Sequence, residues 1–445
     1  MRILATLLTV LVLGCGTSPQ HDPTASEGGA VAFVGANVVP MDREGVLRDH
    51  TVVVRGDRIE SIAPASSASI PAGARQIDAS GSFLLPGLAE MHGHIPPPTA
   101  SPELIEDTLF LYVAAGVTTV RGMLGAPGQL DLKERAARGE IVAPNLYLAG
   151  PSFSGNSISS PEEAIEKVRL QKSEGWDLLK VHPGLTRAEY DAMARTANEL
   201  GMRFGGHVPA EVGLVHAIEM GQETFDHVDG YVEHLGPPDA ALDEGKLAAI
   251  VEKTRSAGAW IVPTMALWET LLGSADPEKL ASYSELRYMP RATVESWKEA
   301  HRRRLASPSA DPRLARRIVE NRTRILRALH EGGVPILMGT DAPQQFSVPG
   351  FSIHRELPRM EAAGMSPWEI LATGTRNVGR YFADHDRFGT VAAGERADLI
   401  LVGGNPLEAL GNLEDLEGVM VGGRWLGREQ IDARLAAIAA RRAAE

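Results

Sequence analysis

Apolar and polar positions along the chain fall into two textures. From Val31 to Leu85 short apolar stretches alternate with turns. Ala32-Phe33-Val34, Thr51 to Val54, Arg58 to Ile62 and Ser82 to Leu85 read as strands, and Gly56-Asp57 marks a turn between two of them. The same texture returns at Ala397 to Val402 and Gly418 to Trp425. Both ends are therefore expected to build one small β-sandwich, residues 30–85 and 386–427, with the middle of the chain inserted between them. The stretch from Arg428 to Ala444, rich in Ala and Arg, predicts a C-terminal helix over residues 428–445.

Between these ends, strand-like and helix-like segments alternate, which favours a parallel sheet. The strand candidates are the segment into His92, Val117–Val120, Asn145–Leu148, Asp177–Val181, Arg203–His207, Thr224–His227, Trp260–Pro263 and Pro335–Asp341. Helical stretches such as Pro161–Gly175 and Thr186–Gly201 separate them. Eight such units predict an α/β fold, a (β/α)8 TIM barrel over residues 86–385. One connection, about 265–330, is overlong and rich in Arg, Glu and Leu, and reads as a helical insertion. A lid or substrate wall and a plain cover for apolar surface explain it equally well.

Composition narrows the picture. The 445 residues carry a net charge of −13, with no block of Lys or Arg, so a nucleic-acid partner is excluded on electrostatic grounds. The one cysteine, Cys15, rules out an intrachain disulfide and any Cys-rich zinc site. Arg2, the apolar run Ile3 to Val12 and the ending Leu13-Gly14-Cys15 resemble a bacterial lipoprotein signal, residues 1–15, too short to span a bilayer. Residues 16–29, rich in Ser, Pro, Asp and Gly, read as a flexible tether. The expectation is an exported lipoprotein, anchored to a membrane on the periplasmic or cell-surface side through Cys15 alone. A cytosolic protein with an apolar N-terminus is the alternative.

The chemistry concentrates at strand ends. Leu85 to His94 reads LPGLAEMHGH, and its two histidines, spaced i and i+2 on an extended segment, face the same way and can share one metal ion. Lys180, His207, His227 and Asp341 each close a predicted strand. Barrel chemistry sits at the C-terminal strand ends, so this convergence carries a metal-site reading that no single motif would. For Lys180 alone, a salt-bridged or snorkelling lysine is the plainer reading. His182, Tyr231 and His354 are weaker candidates for substrate contact, each with a structural role as the plainer alternative.

These segments, together with Ala115 to Arg121, Gly206-His207-Val208-Pro209, Gly339 to Ala342 and Gly394 to Leu399, resemble the amidohydrolase superfamily in its imidazolonepropionase-like and prolidase-like branch. The resemblance covers nearly everything after the tether. It implies a binuclear centre of two divalent metal ions, zinc by default though manganese, iron or cobalt suit the same donors. His92, His94 and Asp341 would hold one ion and His207 and His227 the other. Lys180, carboxylated on its side-chain nitrogen, would bridge them. It further implies hydrolysis of an amide-type C–N bond in a small-molecule substrate, an N-acyl amino acid or dipeptide, with Asp341 as proton shuttle. A cyclic amide or lactone hydrolase, and an inactive ligand-binding surface lipoprotein, stand as alternatives; a homo-oligomer is compatible with either. The chain departs from the family's pattern in three places. Gly150 to Asn156 lacks the histidine of related carboxypeptidases, Asp226 stands where relatives usually carry Glu, and Glu90 where they usually carry Asp.

Overall fold

The structure, a computed structural model, describes residues 29–445. The expected signal segment, Cys15 and the tether up to residue 28 lie outside the described residues. Both ends of the chain meet in one eight-stranded sheet. Its hydrogen-bonded order runs Arg424–Gly427, Leu416–Val421, Leu399–Val402, Phe83–Pro86, Ala30–Val38, Leu47–Arg55, Arg58–Pro64, and Arg75–Asp78 also pairs with Ala30–Val38. In hydrogen-bonding terms the expected sandwich is thus a single sheet. The two ends are stitched antiparallel where Leu399–Val402 lies against Phe83–Pro86, with Ile400 opposite Leu85. Alternation sends Phe33, Val52, Leu84, Leu399 and Trp425 into a common core, where the Phe33 and Trp425 rings meet edge-on at 5.0 Å.

The middle of the chain is α/β with parallel strands. Leu88–Gly93, Val117–Gly122 and Asn145–Leu148 form one parallel sheet; Leu178–Val181, Arg203–Gly206, Thr224–Asp226 and Trp260–Val262 form another. Backbone bonds continue from the first to the second: the Asp177 N–H donates to the Leu148 carbonyl at 3.0 Å and Gly150 to Leu178 at 3.1 Å. On the other flank, Leu337 donates to Ile261 at 2.8 Å, and Met91 to Met338 at 2.8 Å.

Pro335–Asp341, expected as a full strand, makes only an isolated bridge between Ile261 and Ile336. Pro335 has no N–H to give. The next groups are claimed from outside the sheet, as Met338 donates to Thr373 at 3.0 Å and the Asn377 amide donates to the Ile336 carbonyl at 3.0 Å. Helix boundaries follow local chemistry. Pro161–Glu174 starts on the Ser160 cap and stops at Gly175 in the left-handed region, and Arg187–Glu199 opens on a Thr186/Glu189 capping box.

The overlong connection resolves into the helices Met265–Leu272, Pro277–Ala281, Arg291–Leu305 and Pro312–Glu331, with a tight turn at Ser284–Tyr288. The last of these leads directly into the Pro335 segment. The final helix spans Arg428–Ala444. Among the described residues no helix is long and apolar enough to cross a membrane.

Candidate metal centre

The parallel strands deliver their chemistry to one place. His92 lies in Leu88–Gly93 with His94 just beyond it, Lys180 in Leu178–Val181, His207 one residue past Arg203–Gly206, and His227 one past Thr224–Asp226. Asp341 follows the Pro335 segment. Its N–H donates to the His92 carbonyl at 2.8 Å, and His94 donates to Ala342 at 2.7 Å, so two sequence-distant segments are zipped together at the site. Ligand atoms of His92, His94 and Asp341 lie within 4.8 Å of one another, a spacing that one ion could bring together.

The imidazoles form a connected array. Ring centroids are 5.6 Å apart for His94–His92, 4.4 Å for His92–His227, 4.6 Å for His227–His207 and 5.1 Å for His207–His182. His94 Nε2 lies 2.5 Å from Asp341 Oδ1, and His227 Nε2 lies 3.6 Å from Asp341 Oδ2. Lys180, fully buried, sets its Nζ 3.2 Å from His92 Nε2 and 3.9 Å from Asp226 Oδ2. Burial, and next the Lys180 charge for His92 or the His92 charge for His227, holds both rings far below the ordinary histidine range. Burial also lowers Lys180, against the opposing pull of Asp226 and Asp341. The His92 and His227 rings therefore present neutral lone pairs. His227 Nε2 is buried with no hydrogen-bond partner, an orphan that a metal ion would satisfy, so the donor set fits the divalent metals named above.

A second ring of residues orients the first. His207 Nδ1 meets Asp229 Oδ2 at 2.6 Å and His227 Nδ1 meets Thr264 Oγ1 at 2.7 Å. His92 Nδ1 lies 2.7 Å from Asp226 Oδ2, though off the line a hydrogen bond needs. Asp226 is in turn held at 3.3 Å by Arg121, which is fully buried and also donates to the Met91 carbonyl at 2.6 Å. Glu90 accepts the backbone N–H groups of His92 and Thr340 at 3.0 and 2.8 Å and bonds the Thr340 hydroxyl. Burial pushes Glu90 up to about 8 despite those bonds. The two departures at Asp226 and Glu90 thus serve as positioning groups. Backbone strain collects here as well: His227 and Asp341, both non-glycine, sit at φ +64°.

Of the expected substrate contacts, only His182 joins this cleft, where burial drops its pKa to about 3. Tyr231, four residues after His227, does not line the cleft. Its ring is buried in the apolar core and its hydroxyl pairs with Thr254 at 2.8 Å. His354 lies on the helix Ile353–Ala362, in a separate cavity beside Tyr283, Glu285 and the C-terminal helix. Asp229, Thr264 and Trp268 went unread in the sequence. The rule that a ligating imidazole turns its second nitrogen to an acceptor could have pointed to Asp229.

Strand-end imidazoles, a buried lysine and a carboxylate on a parallel α/β scaffold define a candidate metal-dependent enzyme. The model of the amidohydrolase family matches residues 83–426, and the chain belongs to that family; it is a hydrolase. It is similar to imidazolonepropionase from Hahella chejuensis (strain KCTC 2396), 24% identical over 83% of this chain and 92% of that one. Among solved structures it resembles bottromycin amidohydrolase, with a TM-score of 0.74, 23% identity and 94% of each chain covered. It also resembles a Xaa-Pro dipeptidase with bound methionine in the active site, with a TM-score of 0.68, 20% identity, and 90% of this chain and 100% of that chain covered. These likenesses make the fold TIM-barrel-like.

Proposed function

We propose that the protein is a binuclear metal-dependent hydrolase of amide C–N bonds in small molecules of the N-acyl amino acid or dipeptide kind. The observation that carries this reading is the convergence of His92, His94, Lys180, His207, His227 and Asp341 on one buried cluster. The backbone bonds from Leu148 to Asp177, Ile261 to Leu337 and Met338 to Met91 support a closed eight-stranded barrel beneath it. His92, His94 and Asp341 would hold one divalent ion, zinc by default, and His207 and His227 a second, with Lys180 between them. Carbamate formation needs an uncharged amine, and the burial that lowers Lys180 favours that form. Divalent ions at such a centre supply Lewis acidity and bring water toward ionisation at neutral pH.

The chain's own groups do the rest. Asp341 reaches His94 and His227 with its two oxygens, from where it can take a proton from water and return it to the leaving nitrogen. Asp229 and Thr264 hold the His207 and His227 imidazoles in register, and Asp226 lies beside His92. The lipoprotein signal supports an exported enzyme tethered through Cys15.

The test is metal content of protein lacking the first 29 residues, with hydrolysis of N-acyl amino acids and dipeptides before and after chelation. About two metals per chain, with activity lost on chelation and restored by zinc or manganese, is the expected result. Lys180→Met is expected to lower both metal content and turnover. Protein that stays metal-free in zinc and bicarbonate would overturn the reading.

A further inference from the structure

The cleft above the imidazoles has a volume of about 640 Å³, and its walls differ from its floor. Beyond the histidines and Asp341, the lining is Ile95, Leu124, Leu267, Trp268, Leu271, three prolines and the neutral amide of Gln344. Among the described residues none of the lining carries an ammonium or guanidinium group. Leu124 at the rim is 45% exposed, a large apolar side chain left in water.

The wall is built rigidly. Leu267, Trp268 and Leu271 fall on one face of the helix Met265–Leu272. That helix is launched from Thr264, the residue that orients His227, so the Trp268 ring stands 6.3 Å from the His227 ring. Its first N–H groups, on Met265 and Ala266, donate to the buried Glu356 carboxyl at 2.7 and 2.9 Å. A guanidinium behind the wall belongs to Arg322, buried and outside the lining, with its carbon 4.1 Å from the Trp268 ring centroid, so the indole stands between it and the cleft.

A free carboxylate seated on this wall, away from the metal-binding floor, would exchange water for leucine, proline and indole with no cationic side chain in the lining to meet it. Arginine forks are enriched where a site recognises a free carboxylate, and this wall has none. Resting on the hydrolase reading above, we propose that the cleft takes the neutral, apolar members of the N-acyl amino acid and peptide class. These are amides or esters whose carboxyl end is blocked, with the apolar part seated on Leu267, Trp268 and Leu271. This narrows the proposed class, N-acyl amino acids and dipeptides, to its members without a free carboxylate.

The test compares N-octanoyl-phenylalanine with its methylamide as substrates of the full-length, zinc-loaded protein. The matched N-octylsulfonyl pair, which cannot be cleaved at the sulfonamide, is titrated by calorimetry. The neutral member is expected to lead by about tenfold or more in kcat/KM and in Kd. Preferential binding of the neutral sulfonamide without any turnover would keep the cleft assignment and overturn the hydrolase reading. Equal or better use of the free acid, or no binding by either sulfonamide, would overturn the cleft assignment. Leu271→Arg, on a half-buried face, adds the missing counter-charge and is expected to improve the free acid by about tenfold, with circular dichroism confirming the fold. An unchanged preference in a folded Leu271→Arg protein would overturn the role given to this wall.

Discussion

Asp229 and Gly206 illustrate how much of the site depends on residues that touch no substrate. Asp229 turns His207 by accepting from Nδ1 at 2.6 Å, and an amide there would offer a weaker acceptor or a competing donor. Asp229→Asn is expected to weaken metal binding by about 10- to 100-fold, measured by competition with a chelator of known affinity. Gly206 has φ +124°, and a Cβ there would lie 2.5 Å from the Val181 carbonyl oxygen and 3.0 Å from Lys180 Cδ. Gly206→Ala should therefore shift Lys180 as well as strain the backbone. The expected outcome is a loss of about 1–3 kcal/mol, seen in thermal unfolding, together with lower metal content. A variant that melts like the parent and binds metal normally would contradict this account. Such positions hide in the sequence: Gly205-Gly206 reads as a strand end, and nothing in the string says which atom the missing Cβ would meet.

At the scale of the element, the helix Met265–Leu272 joins stability to specificity. It begins on a buried acid, Glu356, pushed up to about 7 mainly by burial, with the Met265 and Ala266 N–H groups pulling the other way. Between pH 4.5 and about 7 the unfolded chain has released this proton while the folded chain keeps it. The group's contribution is therefore fully present below pH 4.5 and is lost as pH rises toward 7. Relative to Glu356→Gln, the parent should lose on the order of 3 kcal/mol across that window, measured by denaturant unfolding of both proteins at several pH values. A constant difference between them would show that Glu356 is ionised throughout. The insertion was legible as helical because it is rich in Arg, Glu and Leu, residues that favour helix. Which of its residues would wall the cleft was not, because the face of a helix that meets a distant loop depends on packing rather than on period.

Across the whole molecule, the terminal sheet and the parallel strands share one chain by stitching Phe83–Pro86 to Leu399–Val402. Leu85 thus pairs with the terminal sheet only a few residues before His92 enters the metal centre. At this scale the proposed tether would decide where catalysis happens. The parent is expected in the membrane fraction and Cys15→Ala in the soluble fraction, read by fractionation and immunoblot. Equal distribution of the two would remove the lipid anchor from the account.

Periodicity and strand-end chemistry were sufficient to read the α/β alternation, the joining of both chain ends and the set His92, His94, Lys180, His207, His227 and Asp341. Those features are local: side-chain alternation and 3.6-residue spacing are written in neighbouring residues, and a parallel fold sends every strand end to one face. The tertiary structure alone decided the rest. It withdrew Tyr231 into the core and His354 to another cavity, gave Asp226, Asp229 and Thr264 their imidazoles, and stood Trp268 over His227. Each of those outcomes depends on which segments meet across tens to hundreds of residues, a matter of packing and desolvation that no local pattern encodes.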